Sequence, residues 1–271
     1  MEFRRIILLF AFLFGAAQLS IVHCQLSIER VSTHSTLFGI GRVNHLDTYL
    51  SPMEYTGPQL TFLSETYRTL RRNPHILFTT LAEGEFSYTH NPQQCAHDMG
   101  GSVRYDTGWG RQWKDILWKG LDLTAGGTMG GTLGILYNNR NGNNPAQARA
   151  NIAAAAFVRA DYRFKIKKQT LALHYQAHLP LIGATFMPQY GQSYYNLFDQ
   201  GHYDHNVCCT HPGNALSLRQ LFTLDIPIRH ATLCLGYLSD LRQAHINNIK
   251  QHQYGRSFVI GYVRDIKIQR K

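Results

Sequence analysis

The sequence predicts an all-β fold, an antiparallel transmembrane β-barrel of about ten strands. Three observations predict it: long runs of alternating apolar and polar residues, an export-type N-terminus with no helical span after it, and linkers that alternate in length. Counts from eight to twelve strands fit the same runs. The clearest run covers residues 151–167. Ile152, Ala154, Ala156, Val158, Ala160, Tyr162, Phe164 and Ile166 fall on one face. Asn151, Arg159, Asp161, Arg163, Lys165 and Lys167 fall on the other, with Ala153, Ala155 and Phe157 between them. A period of two is that of a β-strand, and this one exceeds the five or six residues common in globular sheets. One apolar and one charged face suit a wall between lipid and a polar lumen.

The N-terminus reads as an export signal. Arg4 and Arg5 precede an apolar stretch, Ile6 to Ala17, interrupted by Gly15. It is too short to cross a bilayer as a helix, which takes ~20 residues. Cleavage after Cys24 leaves residues 25–271 as a single barrel domain; cleavage after Ala17 is the other reading. Later apolar stretches are broken by charges, and a mean hydropathy of −0.25 hides in alternation.

The formal charge is +10; removing residues 1–24 takes away two Arg and one Glu and leaves +9. The cations gather at strand ends: Arg71-Arg72, Arg111, Lys114, Lys165, Lys167-Lys168, Arg229 and Arg270-Lys271. Such ends suit phosphate headgroups, and no basic-aromatic signature of nucleic-acid binding is present. The expected partner is therefore membrane lipid, not nucleic acid.

In chain order the strands are expected at 30–43, 57–71, 75–90, 97–109, 115–137, 150–167, 169–182, 215–228, 231–241 and 254–269. The fifth is low in bulk at Ala125-Gly126-Gly127-Thr128-Met129-Gly130-Gly131, where glycines let a neighbour approach closely. In the seventh, Leu171, Leu173, Tyr175, Ala177 and Leu179 alternate with Thr170, Ala172, His174, Gln176 and His178. In the eighth, Leu216, Leu218, Phe222, Leu224, Ile226 and Ile228 oppose Ser217, Arg219, Thr223 and Asp225. Phe258, Ile260 and Tyr262 share a face of the last. Longer linkers at 44–56, 91–96, 138–149, 183–214 and 242–253 alternate with short ones at 72–74, 110–114, 168 and 229–230. A barrel with long outer loops and short periplasmic turns has this pattern, and an even strand number puts both ends of the barrel domain on the periplasmic side. Trp109, Trp113 and Trp118 bracket one turn, as interfacial aromatics do.

Three segments carry a resemblance: Leu46–Tyr55, Tyr137–Arg149 and Tyr190–Tyr195. Together they resemble a domain-of-unknown-function family of exported Gram-negative proteins. The resemblance spans nearly the whole mature chain. It implies an outer-membrane β-barrel and no activity, so it transfers no site residues. The Cys208-Cys209 pair departs from the family's pattern.

Several groups are chemically suggestive. His202, Asp204, His205, Cys208, Cys209 and His211 crowd one linker. These are zinc-ligand types, which makes His202, Asp204, His205 and His211 the metal candidates. Their spacing matches no standard site, and long loops are polar anyway, so no metal or cofactor is expected. Asp47 can meet Asp199 or His202 at the barrel rim and act there as a general base; an Asp capping a turn is the simpler role. Ser217 and His174 lie on polar faces of neighbouring strands, two parts of a hydrolase site that would still need an orienting acid. Lumen side chains satisfying one another explain the same positions. No G-x-S-x-G elbow, phosphate loop or H-E-x-x-H helix occurs. Cys95 and the Cys208-Cys209 pair fall in linkers, so a disulfide from Cys95 to Cys208 or Cys209 is open to an exported chain. Asn138–Pro145 reads as an exposed loop that could meet glycan or lipopolysaccharide.

The combined reading is an outer-membrane barrel of unknown ligand with a narrow, filled lumen and a structural or loop-binding role. One alternative is a rim-sited hydrolase of lipid or peptide. The other is a secreted soluble β-sandwich, in which the Ile152–Ile166 face packs against a second sheet.

Overall fold

A computed structural model describes residues 30–70, 73–167, 169–228 and 231–268. The expected signal segment, residues 1–24, and Arg71, Arg72, Lys168, Arg229, Arg270 and Lys271 lie outside the described residues.

The described chain is a closed antiparallel barrel. Its strands are β1 (Arg30–Asp47), β2 (Ser51–Thr69), β3 (Ile76–His90), β4 (His97–Trp113), β5 (Leu121–Asn138), β6 (Ala146–Ile166), β7 (Gln169–Phe186), β8 (Val207–Thr210), β9 (Ser217–Ile228), β10 (Ala231–Ile246) and β11 (Ile249–Ile268). Each strand pairs with the next, except that β8 adds to the end of β7 while β7 continues to β9; β1 closes the ring against β11. Ten strands therefore form the wall and β8 is an accessory. A short helix α1 (Tyr194–Phe198) lies between β7 and β8.

Alternation decides which side chains face where. On β2 the odd positions Tyr55, Gln59, Thr61, Leu63, Glu65 and Tyr67 are buried, while Leu60 between them is 54% exposed. On β6 the face carrying Ile152 and Val158 is outermost, and Phe157 and the arginine–aspartate face point inward. Ile152 is 58% exposed, so the face that a sandwich would bury is the outside of the barrel. Phe38, Ile40, Phe86, Met129, Leu133, Phe222, Phe258 and Ile260 extend the same apolar belt. A lipid-facing wall has this character.

The loops differ from the expected strict alternation. β1 and β2 run past 43 and back before 57, leaving only Thr48–Leu50 as their turn. β10 and β11 meet across Asn247-Asn248, both with positive φ (52° and 60°). Asparagine tolerates that region, and two such residues make the tight hairpin turn that fits strand twist. Conversely, 114–120 is a true loop, because the Asp115 carboxylate accepts from Gly120 N at 2.6 Å and Asp122 accepts from Asp115 N at 3.2 Å. Residues 187–216 form the long excursion, which folds back over one mouth.

Inward side chains occupy the middle of the lumen, and a cavity of about 460 Å³ bordered by Tyr67, Arg159, Asp161, His174 and Asp225 lies beside them toward the uncapped end. Leu37, Leu63, Leu81, Leu221, Cys234, Leu238 and Val259 form one buried apolar cluster at inward positions. Around it stand ion pairs: Arg219–Glu83 (2.8 Å), Arg104–Asp106 (2.6 Å), Arg159–Asp161 (2.7 Å) and Arg242–Glu85 (2.9 Å). Arg242 also pairs with Asp240. The glycines of β5 make room for this: a side-chain carbon at Gly130 would fall 2.0 Å from Asp106 Oδ1. The close approach expected of Ala125–Gly131 is thus an approach of β4.

Candidate functional site: the capped mouth

At one end, the turn 48–50, the loop 139–145 and the excursion 187–206 converge on the lumen. Tyr49, Leu50, Leu136, Met187, Ile246 and Ile249 make a second buried apolar cluster there, with Tyr194 against it. Polar bonds tie the turn to both other segments and the excursion to the start of β6. Tyr49 Oη donates to Gln192 O (2.8 Å), Asn141 Nδ2 donates to Leu50 O (3.0 Å), and Ala148 N donates to Tyr194 Oη (2.7 Å). Tyr49 and Tyr194 also meet edge to face, 6.1 Å between centroids. Burial raises the titration of both phenols above the ordinary tyrosine range, so both stay protonated. The Ser193 side chain caps α1 by accepting from Asn196 N.

Asp47 lies just inside this lid, buried. Its carboxylate accepts from Arg149 Nη2 (3.2 Å), Gln251 Nε2 (2.9 Å) and Tyr49 N (3.2 Å). Asp199 terminates α1, and Asp199 and His202 are both exposed; neither has a side-chain bond to Asp47 among the described residues. The simpler role, an Asp bonded to its own turn, describes the geometry at Asp47. Ser217 and His174 are also apart. His174 is opposite Thr223 on β9, and Ser217 lies six residues further along that strand, about 20 Å. His174 instead joins Asp161 and Asp225 (3.1 Å to the latter), beside Arg159.

The His/Cys-rich stretch serves turns. His205 O accepts from Cys208 Sγ and Asn247 Nδ2, and His211 Nδ1 accepts from Gly213 N. His202 and Asp204 lend carbonyls to Gln192 and Gln189. Among the described residues, converging ligand atoms occur at Glu83, Glu85 and Asp240, within 4.8 Å of one another, and each of these faces an arginine. Cys95, Cys208 and Cys209 are free thiols; Cys95 accepts from Asn91 Nδ2 (3.3 Å) and Arg140 Nη1 (3.0 Å).

Sequence reasoning passed over one Ser–His pair. His45 Nε2 is 3.0 Å from Ser87 Oγ, buried, at a cavity of about 160 Å³ under the lid that Glu85, Arg149 and Arg242 also line. Its signal was the inward parity of both residues, but their adjacency needs the pairing of β1 through β2 to β3. The other nitrogen of His45 has no hydrogen-bond partner among the described residues, so no acid orients the ring.

The three segments tied together over the mouth are the ones that carry the resemblance to a family of exported barrels. A family model described as "Protein of unknown function (DUF3316)" matches residues 6–271. The chain belongs to this family. No curated protein matches it. Among solved structures it is similar to the outer membrane protease OmpT from Escherichia coli, at 7% identity and TM-score 0.46, covering 89% of this chain and 99% of that one. It is also similar to the transport unit of the autotransporter AIDA-I from Escherichia coli, at 8% identity and TM-score 0.42, covering 90% and 94%. A third is the translocator domain of the autotransporter NalP from Neisseria meningitidis, at 9% identity and TM-score 0.35, covering 91% and 92%.

Proposed function

We propose that this DUF3316 protein is an outer-membrane barrel, inserted after loss of residues 1–24, that works through its lidded outer end as a structural or loop-binding protein and not as a pore. The observation that carries the reading is the covered mouth: the turn 48–50 bonded to both other loop segments, and the excursion bonded to the start of β6, above a lumen crossed by ion pairs and leucines. Buried pairs such as Arg219–Glu83 and the inward leucines occupy the width of a narrow ten-strand lumen, which speaks against an open pore. The lid's outer surface suits a carbohydrate ligand. Tyr190, Tyr195, Phe198 and Tyr203 are each more than 60% exposed there, and residues 187–216 contain no Lys or Arg.

A hydrolase reading now rests on His45 and Ser87 instead of Asp47, Asp199, His202, Ser217 and His174. It is second, because no acid orients His45.

The test is membrane fractionation with a heat-modifiability gel, followed by planar-bilayer recording. Outer-membrane enrichment, a faster unboiled band and no discrete conductance steps are expected. Soluble periplasmic protein, or stable open channels from the wild-type chain, would overturn the reading.

A further inference from the structure

The outer surface of the wall is charged in one sense. Among strand residues whose side chains are described, the acids face the lumen, with the exception of Glu54 on β2. Cations do face outward, and two of them meet at the seam where β1 closes against β11. At Gly41 a side-chain carbon would fall 1.9 Å from Arg256 O and 2.6 Å from Ser257 Cα. Gly41 thus lies directly against Arg256-Ser257, which puts Arg42 and Arg256 at neighbouring positions on the outward face. Both are exposed, and neither has an ion pair or side-chain hydrogen bond among the described residues.

Their surroundings give no counter-charge. Arg42 is opposite Pro58 on β2, and Arg256 is opposite Ser239 on β10. Glu54 is four residues beyond Pro58 on the capped side and pairs with neither arginine. It is engaged there by Asn44 Nδ2 (3.0 Å) and His252 Nε2 (3.9 Å). Like charges across adjacent strands repel, so this arrangement costs stability unless an anion lies between them.

The height of the pair says which anion. On the uncapped side of the arginines, the same faces of the same two strands carry Ile40, Phe38, Phe258 and Ile260, between 54% and 74% exposed. On the capped side come Tyr254, whose hydroxyl donates to Gln243 as an interfacial aromatic's would, and then Asn44, His252 and Lys250. The arginines therefore stand where the apolar belt ends, on the side of the lid, where a lipid's phosphate meets its acyl chains. Guanidinium forks match phosphate oxygens in geometry as well as charge. We propose that Arg42 and Arg256 form a two-arginine site for the phosphate of an anionic lipid in the leaflet on the lid side. The site rests on the reading that the belt lies in the outer membrane.

The test titrates the full chain, folded in detergent micelles, with three probes: bisphosphorylated lipid A, the same lipid dephosphorylated, and inorganic phosphate. Bound lipid is counted by native mass spectrometry. At about 1 kcal/mol per arginine at a membrane surface, Arg42→Gln and Arg256→Gln should each weaken bisphosphorylated lipid about 5-fold, and the double variant about 30-fold. Lys119→Gln, an exposed loop cation at the uncapped end, should leave it unchanged. If the double glutamine variant fails the heat-modifiability check, the double lysine variant replaces it. That variant keeps the charge, loses the fork and should weaken binding by a smaller factor. Equal binding of the dephosphorylated lipid, or unaltered affinity in the double variant, would overturn the site. Inorganic phosphate competing at lipid-like concentration would overturn the assignment to lipid. Micelle binding does not depend on cellular location. Phosphate-dependent binding by a chain absent from the outer membrane therefore sinks the location alone, and phosphate indifference in an outer-membrane chain sinks this site alone.

Discussion

Replacing Arg219 with Met should be among the most damaging single changes in the lumen. Arg219 is 1% exposed, with Nε donating to Glu83 Oε2 at 2.8 Å and Nη2 3.7 Å from Glu65 Oε1. Methionine fills the stem volume but leaves Glu83, whose side chain is also 1% exposed, as a buried carboxylate without its cation. Breaking one partner of a buried pair costs about 3–5 kcal/mol. Removing both, as Arg219→Met with Glu83→Leu, should recover most of that loss, since a buried pair is often no better than apolar residues of its size. The Arg163–Asp122 pair is an internal control. Its 2.5 Å separation is as short, but the Arg163 side chain is 55% exposed and the buried Asp122 keeps a second donor in Asp115 N, so Arg163→Met should cost markedly less than Arg219→Met. The assay is reversible urea unfolding in lipid vesicles, followed by tryptophan fluorescence. Equal losses for Arg219→Met and Arg163→Met would refute the reasoning, for it would mean that water screens the lumen as it does the surface. A double variant no better than the single would refute the pair as the cause.

Other outcomes follow from the lid. Tyr194→Phe leaves Ala148 N without its acceptor, a loss of about 1–3 kcal/mol locally; faster proteolysis within 187–206, with the barrel core intact, is expected, and unaltered cleavage would count against the lid being locked. The Cys95 thiol is held below the ordinary thiol range, first by the Asn91 hydrogen bond, with Arg140 adding to it. Its thiolate forms at lower pH, so iodoacetamide alkylation should reach half its maximal rate below the usual ~8.5, and Arg140→Gln should move that midpoint upward; a midpoint at or above 8.5 contradicts this. Fluorophosphonate should not label Ser87, because His45 lacks an orienting acid; labelling that vanishes in both Ser87→Ala and His45→Gln would promote the hydrolase reading to first place.

What the sequence determined by itself was the wall. Period-two patterning is local, so the outward face of Ile152 to Ile166 and the inward face of Ser217, Arg219, Thr223 and Asp225 could be assigned from neighbours two residues apart. The glycines of β5 and the excursion before Asn214 were legible for the same reason. The barrel's closure decided the rest. Which acid meets which arginine depends on register around the ring: Arg219 reaches Glu83 across 136 residues of chain, and His45 reaches Ser87 across 42. Asp47 and His202 stay apart because the closed ring buries Asp47 against Arg149 and Gln251 while His202 is exposed in the excursion. The lid and the Arg42–Arg256 seam likewise exist only once the two ends of the sheet have met, because antiparallel pairing converts distant positions into neighbours that no local period encodes.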